Sequence, residues 1–229
     1  MTEDRTVQVE GQLYTVVVSD EKEALLAAAA AGRASLGIGG LDGEYLPVSY
    51  VAESIHEVDE VLLEKIVRRT VGFPWNICET QRLKIREFQE DDWVSLPEDE
   101  IGTEGDRIFT ERERLKAYIA CQYRFYEFGI WAVVEKEHGR IIGKAGFSVW
   151  DGEEEGVELG YHIFSPYRGK GYAWEACLAV LEWEERELGL PVWLRIEEKN
   201  QPSVSLAEKL GFVKKQRWKG KNIWIWQKK

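Results

Sequence analysis

The sequence predicts an α/β protein with a mixed sheet, preceded by a small α/β domain. Three observations carry that expectation. Strand-like and helix-like patterns alternate from residue 14 to residue 227. A glycine-bearing turn, Ser165-Pro166-Tyr167-Arg168-Gly169-Lys170-Gly171-Tyr172-Ala173, joins an apolar strand to a long amphipathic helix. A hydrophobic fraction of 44% and ten tryptophans supply a large core, which excludes a disordered chain.

The 229 residues suffice for an ordinary domain plus a small one. Charge places the division at 78/79. Residues 1–78 hold 13 acids against 6 bases, so -7 of the net -11 lies there. In this first part, the β-branched run 14–18 reads as a strand. Residues 21–31 are good helix formers stopped by Gly32. A strand at 34–38, a glycine loop at 39–43 and a strand at 48–52 follow. A second helix, 59–71, ends at Gly72 and Pro74. The expected order is β-α-β-β-α. With Val18-Ser19-Asp20 ahead of an Ala-rich helix, the segment resembles the last units of haloacid dehalogenase-like Rossmann domains, but without an aspartate nucleophile motif. It reads as a packing or dimerisation module, so a homodimer is among the expected states.

In residues 79–229, Leu83 and Ile85 alternate with Lys84 and Arg86, as in a strand. Asp91-Asp92-Trp93 opens a short helix, and 111–128 is an aromatic-rich one. Strands 129–135 and 140–150 form a hairpin around His138-Gly139. An acidic turn, 151–156, leads to the strand 157–164. After the glycine turn come a helix (171–188), a strand (192–196) and a short helix (202–210) closed by Gly211. A last hairpin spans 212–218 and 222–227. The order is β-α-α-β-β-β-α-β-α-β-β.

Composition narrows the partners. The net charge argues against nucleic acid, because phosphate binding needs clustered Lys and Arg. No apolar run reaches transmembrane length, and no apolar leader follows Met1, so the expectation is a cytoplasmic protein without a membrane partner. Cys78, Cys121 and Cys177 are widely spaced, which predicts reduced thiols and no metal site.

The chemistry starts at the glycine turn. A turn that opens a helix aims free N–H groups and the positive dipole end at whatever docks there, and so suits an anion such as a pyrophosphate. Three further strings flank it in order. They are Arg82-Leu83-x-Ile85-Arg86 with Asp91-Asp92-Trp93, Glu158-Leu159-Gly160-Tyr161-x-Ile163, and Asn200-x-x-Ser203 with Ala207-Glu208-Lys209-Leu210-Gly211-Phe212. With the turn's Arg168-x-x-Gly171-x-Ala173, residues 80–229 resemble the GNAT superfamily of N-acetyltransferases, in its ribosomal-protein branch. The resemblance implies a splayed mixed sheet and acetyl-CoA as co-substrate. It also implies acetyl transfer to a primary amine by direct attack, the acceptor being a small amine or a protein N-terminus.

The resemblance assigns residues as follows. The backbone of Gly169, Lys170, Gly171, Tyr172 and Ala173, with the charges of Arg168 and Lys170, would bind the pyrophosphate. Ile163 and Phe164 end the strand that the pantetheine arm pairs with. Asn200 would bind pantetheine amides or cap its helix. Glu158 is the first choice for the base, and His162, on the same strand face, is the second; a water chain is a third route. Family members often carry a tyrosine acid on the short helix, and none stands there in this chain. Ser203 is placed near the sulfur as donor, CoA ligand or first-turn cap. Cys177 reads as core. Because the tyrosine acid is missing, a non-catalytic acyl-CoA-binding sensor is the alternative.

Overall fold

The computed structural model describes residues 1–39, 45–95, 107–218 and 220–227. The chain divides between Trp75 and Asn76 into two compact units.

The first unit holds β1 (Thr2–Val9), β2 (Gln12–Ser19), α1 (Lys22–Ala30), β3 (Ala34–Ile38), β4 (Val51–Ala52) and α2 (Glu60–Val71). Its sheet runs β1-β2-β3-β4. β1 and β2 form an antiparallel hairpin, and β3 and β4 join in parallel. Val7, Val16, Val18, Leu36, Ile66 and Val67 form its core. Asp59 caps α2 by accepting from the Leu62 N–H at 2.8 Å, and Gly72 ends it in the left-handed region. The expected β-α-β-β-α order therefore gains a strand. β1 escapes the periodicity because residues 2–6 are all polar and the strand lies at the sheet edge, where only Val7 and Val9 are buried. Of the expected loop 39–43, residues 40–43 lie outside the described residues.

The second unit begins earlier than the charge shift suggests. β5 (Asn76–Glu79) pairs antiparallel with β6 (Leu83–Arg86), so residues 76–78 belong to the second sheet. Four residues with a bulge are too short to show a period of two. Then come α3 (Arg107–Thr110), α4 (Arg112–Tyr118), β7 (Ile130–Glu135), β8 (Arg140–Val149), β9 (Val157–Ile163), α5 (Tyr172–Glu187), β10 (Val192–Glu197), α6 (Gln201–Leu210), β11 (Phe212–Trp218) and β12 (Lys221–Trp226). Eight strands run β11-β12-β10-β9-β8-β7-β6-β5. β9 and β10 are parallel, and the other neighbours are antiparallel.

Helices cover both faces. On one, Trp183 of α5 meets Trp131 and Phe147 of the sheet, with the two tryptophan rings 4.7 Å apart. On the other, Phe109 and Leu115 pack with Phe88, Ala132, Val134 and Phe164. The expected helix at 111–128 is broken. After α4 the chain makes a π-helical turn, Ile119–Tyr123. The extra residue brings Tyr118 and Tyr123 together on Ile130, whose N–H donates to the Tyr118 hydroxyl and whose carbonyl accepts from Tyr123, both at 2.7 Å. Gly129 is required beside them, because a Cβ would lie 2.7 Å from the Tyr118 oxygen. Asp91-Asp92-Trp93 lies in a 3-10 turn, Glu90–Ser95, held by the buried fork of Arg86 on Asp92 at 2.7 and 3.0 Å. Among the described residues, no helix is long and apolar enough to cross a membrane.

Candidate functional site

The sheet is interrupted between its two parallel strands. β9 pairs with β10 only at Val157↔Val192 and Glu158↔Trp193, while on its other side it pairs with β8 as far as Ile163. Bonding direction alternates along a strand. Val157 donates toward β10, to Pro191, and Phe164 toward β8, to Ile142. The N–H and C=O of Tyr161 and the N–H of Ile163 therefore face the gap. A cleft of about 480 Å³ opens there, lined by Glu158, Gly160, Tyr161, His162, Asn200 and Ser203 among others.

The glycine turn stands at the end of β9. Ser165–Tyr167 is a 3-10 turn, and Gly169 and Gly171 take φ of 76° and 80°. Those angles require glycine for a backbone reason that spacing alone does not reveal. α5 starts at Tyr172 and no side chain caps it, so its first N–H groups are open. Arg168 turns back instead of outward. Its Nε donates to the Ile163 carbonyl at 2.7 Å, and Nη2 lies 3.2 Å from His162 Nε2. A guanidinium can only donate, so that ring nitrogen accepts. Lys170 lies over the Tyr167 ring.

A clamp that the sequence reading missed steadies this turn. Arg82 stacks on the Tyr172 ring at 4.4 Å and donates to the Lys170 carbonyl at 3.0 Å. Arg82 and Thr80 also hold Glu175 of α5, at 2.7 and 2.5 Å. Burial opposes ionisation of Glu175, but the bonds from Thr80 and Arg82 outweigh it and lower its pKa. Arg82 was visible as part of a motif, but its partner lies 93 residues away.

On the cleft's other wall, Asn200 caps α6, its Oδ1 accepting from the Ser203 N–H at 3.3 Å. The cap uses the oxygen, and the Nδ2 amide has no partner among the described residues. Glu158 and His162 share one face of β9 with Gly160, as the period of two requires. Both Glu158 oxygens are engaged by Arg195 of β10, with Nε at 2.9 Å. Arg195 also pairs with Asp151 at 2.8 Å and lies over the rings of Trp150 and Trp218, at 4.7 and 5.6 Å. Beyond it lies a second cavity of about 480 Å³, lined by Trp150, Trp193, Trp218, Asp151, Glu153 and Glu154. Of the aromatics on the segment before β7 and on the last hairpin, Trp218 lines this cavity. Tyr118 and Tyr123 brace Ile130, while Phe125 and Tyr126 are exposed and Trp224 is buried. Cys177 is fully buried and its thiol is pushed well up by burial, which leaves it inert.

A family model described as the acetyltransferase (GNAT) domain matches residues 82–213. The uncharacterized N-acetyltransferase YjdG of Bacillus subtilis (strain 168) is 35% identical over 88 residues, 38% of this chain; the chain spans about half of that relative, 52% of its length. The uncharacterized N-acetyltransferase YnaD of the same organism is 31% identical over 157 residues, 63% of this chain and 90% of YnaD. Among solved structures, RimL, a ribosomal alpha-N-protein acetyltransferase in complex with coenzyme A, superposes with a TM-score of 0.54 at 13% identity. The match covers 66% of this chain and 97% of RimL. At that identity the likeness is one of fold.

Proposed function

Because the chain belongs to the GNAT family of acetyltransferases, we propose that it is an acetyl-CoA-dependent N-acetyltransferase that moves the acetyl group to a primary amine by direct attack. The observation that carries this reading is the joint geometry of the gap and the turn. A strand edge left open beyond Glu158 leads straight to the uncapped N-terminus of α5. An extended amide-bearing arm would pair with that edge as an added strand, and its pyrophosphate would reach the N–H groups of 169–173. Arg168 would fix the turn onto β9, and Asn200 would offer Nδ2 to the arm.

The acceptor enters from the face of Glu158 and His162. Arg195 occupies two of the roughly four lone-pair directions of the Glu158 carboxylate. The remaining ones take the proton of the attacking amine, and His162 stands behind as the second group in reach of the cleft. The cavity beyond Arg195 receives the rest of the acceptor. Its tryptophans and three acids favour a cationic one, a small amine or a basic protein N-terminus.

The test is direct. Ala173→Glu places a longer side chain and a negative charge at the turn without touching the left-handed glycines. Calorimetric titration with acetyl-CoA is expected to show binding by the parent protein and none by the variant, with circular dichroism unchanged. Equal affinities would remove the turn from the site. Tight binding of acetyl-CoA with no turnover on any of a panel of primary amines would favour the sensor instead.

A further inference from the structure

The last stretch of the chain reverses its charge. Residues 209–229 hold eight Lys and Arg and no Asp or Glu, in a chain of net charge -11. Part of that charge lies on β11, whose residues 213–217 are all exposed, Lys214, Lys215 and Arg217 among them. Lys214 and Lys215 pair with no acid among the described residues. Arg217 meets Glu198 at 3.2 Å, but both side chains are largely exposed, so that pair contributes little. β11 is also the outermost strand of its sheet, paired with β12 alone. Alternate N–H and C=O groups on its outer side therefore face solvent. The register sorts its side chains. Lys214 and Arg217 stand opposite Trp224 and Asn222 on one face, and Val213 stands opposite Ile225 on the other. The bulge between Lys214 and Gln216 puts two bases three residues apart on the same face.

We propose that the outer edge of β11 is a docking surface for an acidic, extended polypeptide, which adds to the sheet as a further strand. The surface is independent of the acetyl-CoA reading. Edge lysines keep a strand from pairing with its own copy, because Lys would stand against Lys. They leave the same edge open to a chain of opposite sign. A polypeptide fits the edge better than a nucleic acid does. The edge offers donors and acceptors in alternation, and a peptide backbone answers both, whereas phosphates only accept. Acids of the docked chain would lie opposite Lys214 and Arg217. Apolar residues between them would cover Val213, which is 41% exposed. The rest of the chain is strongly negative, which confines an acidic partner to this strip. β11 also lines the tryptophan cavity through Gln216 and Trp218, so a chain docked on it stands beside that cavity.

The probe is a synthetic peptide of alternating Glu and Val, titrated into the full-length protein and followed by calorimetry. Three others are titrated beside it: the same peptide with every backbone nitrogen methylated, an alternating Lys and Val peptide, and single-stranded oligouridylate. The Glu–Val peptide is expected to bind, and its binding to vanish between about 0.1 M and about 1 M salt as screening shortens. The methylated and Lys–Val peptides are expected not to bind. In the double variant Lys214→Glu, Arg217→Glu, affinity is expected to fall about tenfold or more. Its melting temperature should stay nearly unchanged, because both side chains are exposed. The double variant Lys214→Gln, Arg217→Gln removes the charge without reversing it and is expected to fall between. Equal binding of the methylated peptide would overturn the proposal, and so would an affinity that neither variant changes. Oligouridylate binding tighter than the Glu–Val peptide would overturn it too, since the strip would then serve nucleic acid. So would a parent protein that binds no Glu–Val peptide at low salt.

Discussion

Glu158 is the residue we propose as the base for the acceptor amine. It is held from the neighbouring strand by Arg195, which Asp151 and two tryptophan rings hold in turn. Glu158→Gln keeps the shape but cannot take the amine's proton, and it turns an amide toward the guanidinium. Turnover is expected to fall at least about a hundredfold, with acetyl-CoA affinity nearly unchanged, as steady-state kinetics beside calorimetry will show. A variant that keeps its rate would leave Glu158 as a structural partner of Arg195 only. The position and face of Glu158 follow from the period of two along a strand. Arg195 was not legible in the same way. Its own strand parity puts it on a face, but which strand lies beside it depends on a pairing 37 residues distant.

At the scale of the element, the start of α5 depends on a clamp from another part of the sheet. Glu175 has a lowered pKa because Thr80 and Arg82 bond its carboxylate more strongly than burial disfavours it. A carboxyl depressed in the folded state adds stability above its unfolded value, near 4.5, and loses that stability as pH falls through the lower folded value. The parent protein is therefore expected to lose part of its stability in that acid window. Glu175→Gln, less stable at neutral pH, should show a flatter acid profile when melting is recorded from pH 7 to 3. Parallel profiles would mean that the clamp contributes nothing. Most elements were readable from pattern: α2 from its cap and glycine stop, α5 from its length, β9 from its apolar alternation. β1 and β5 were not, because an edge strand needs few apolar residues and four residues do not make a pattern. The π-helical turn was hidden for another reason. Tyr118 and Tyr123 are five apart, which a regular helix would not bring together on Ile130.

For the whole molecule, the division between Trp75 and Asn76 has a practical meaning. The first unit encloses its own core around Val16, Leu36 and Ile66. The second needs β5 as the outer neighbour of β6. A fragment of residues 76–229 is expected to melt cooperatively and above one of residues 80–229, which lacks that strand. Equal melting temperatures would show that Ile77, though buried, adds nothing to the second core. The charge shift at 78/79 came close to this boundary because composition follows domains, yet it could not see which sheet a short strand joins.

The gap beside β9 has one more consequence, and it concerns width. Two strands that part after two paired residues leave one edge of β9 open, and an extended chain paired with that edge would stand about 4.8 Å from it. Under the function we propose, such pairing would read a donor's backbone and not what the donor carries at its tip. Under the function we propose, discrimination between a two-carbon cargo and a longer one would fall to the wall at Gly160, where the Ile130 side chain lies 3.0 Å from where a Cβ on Gly160 would stand.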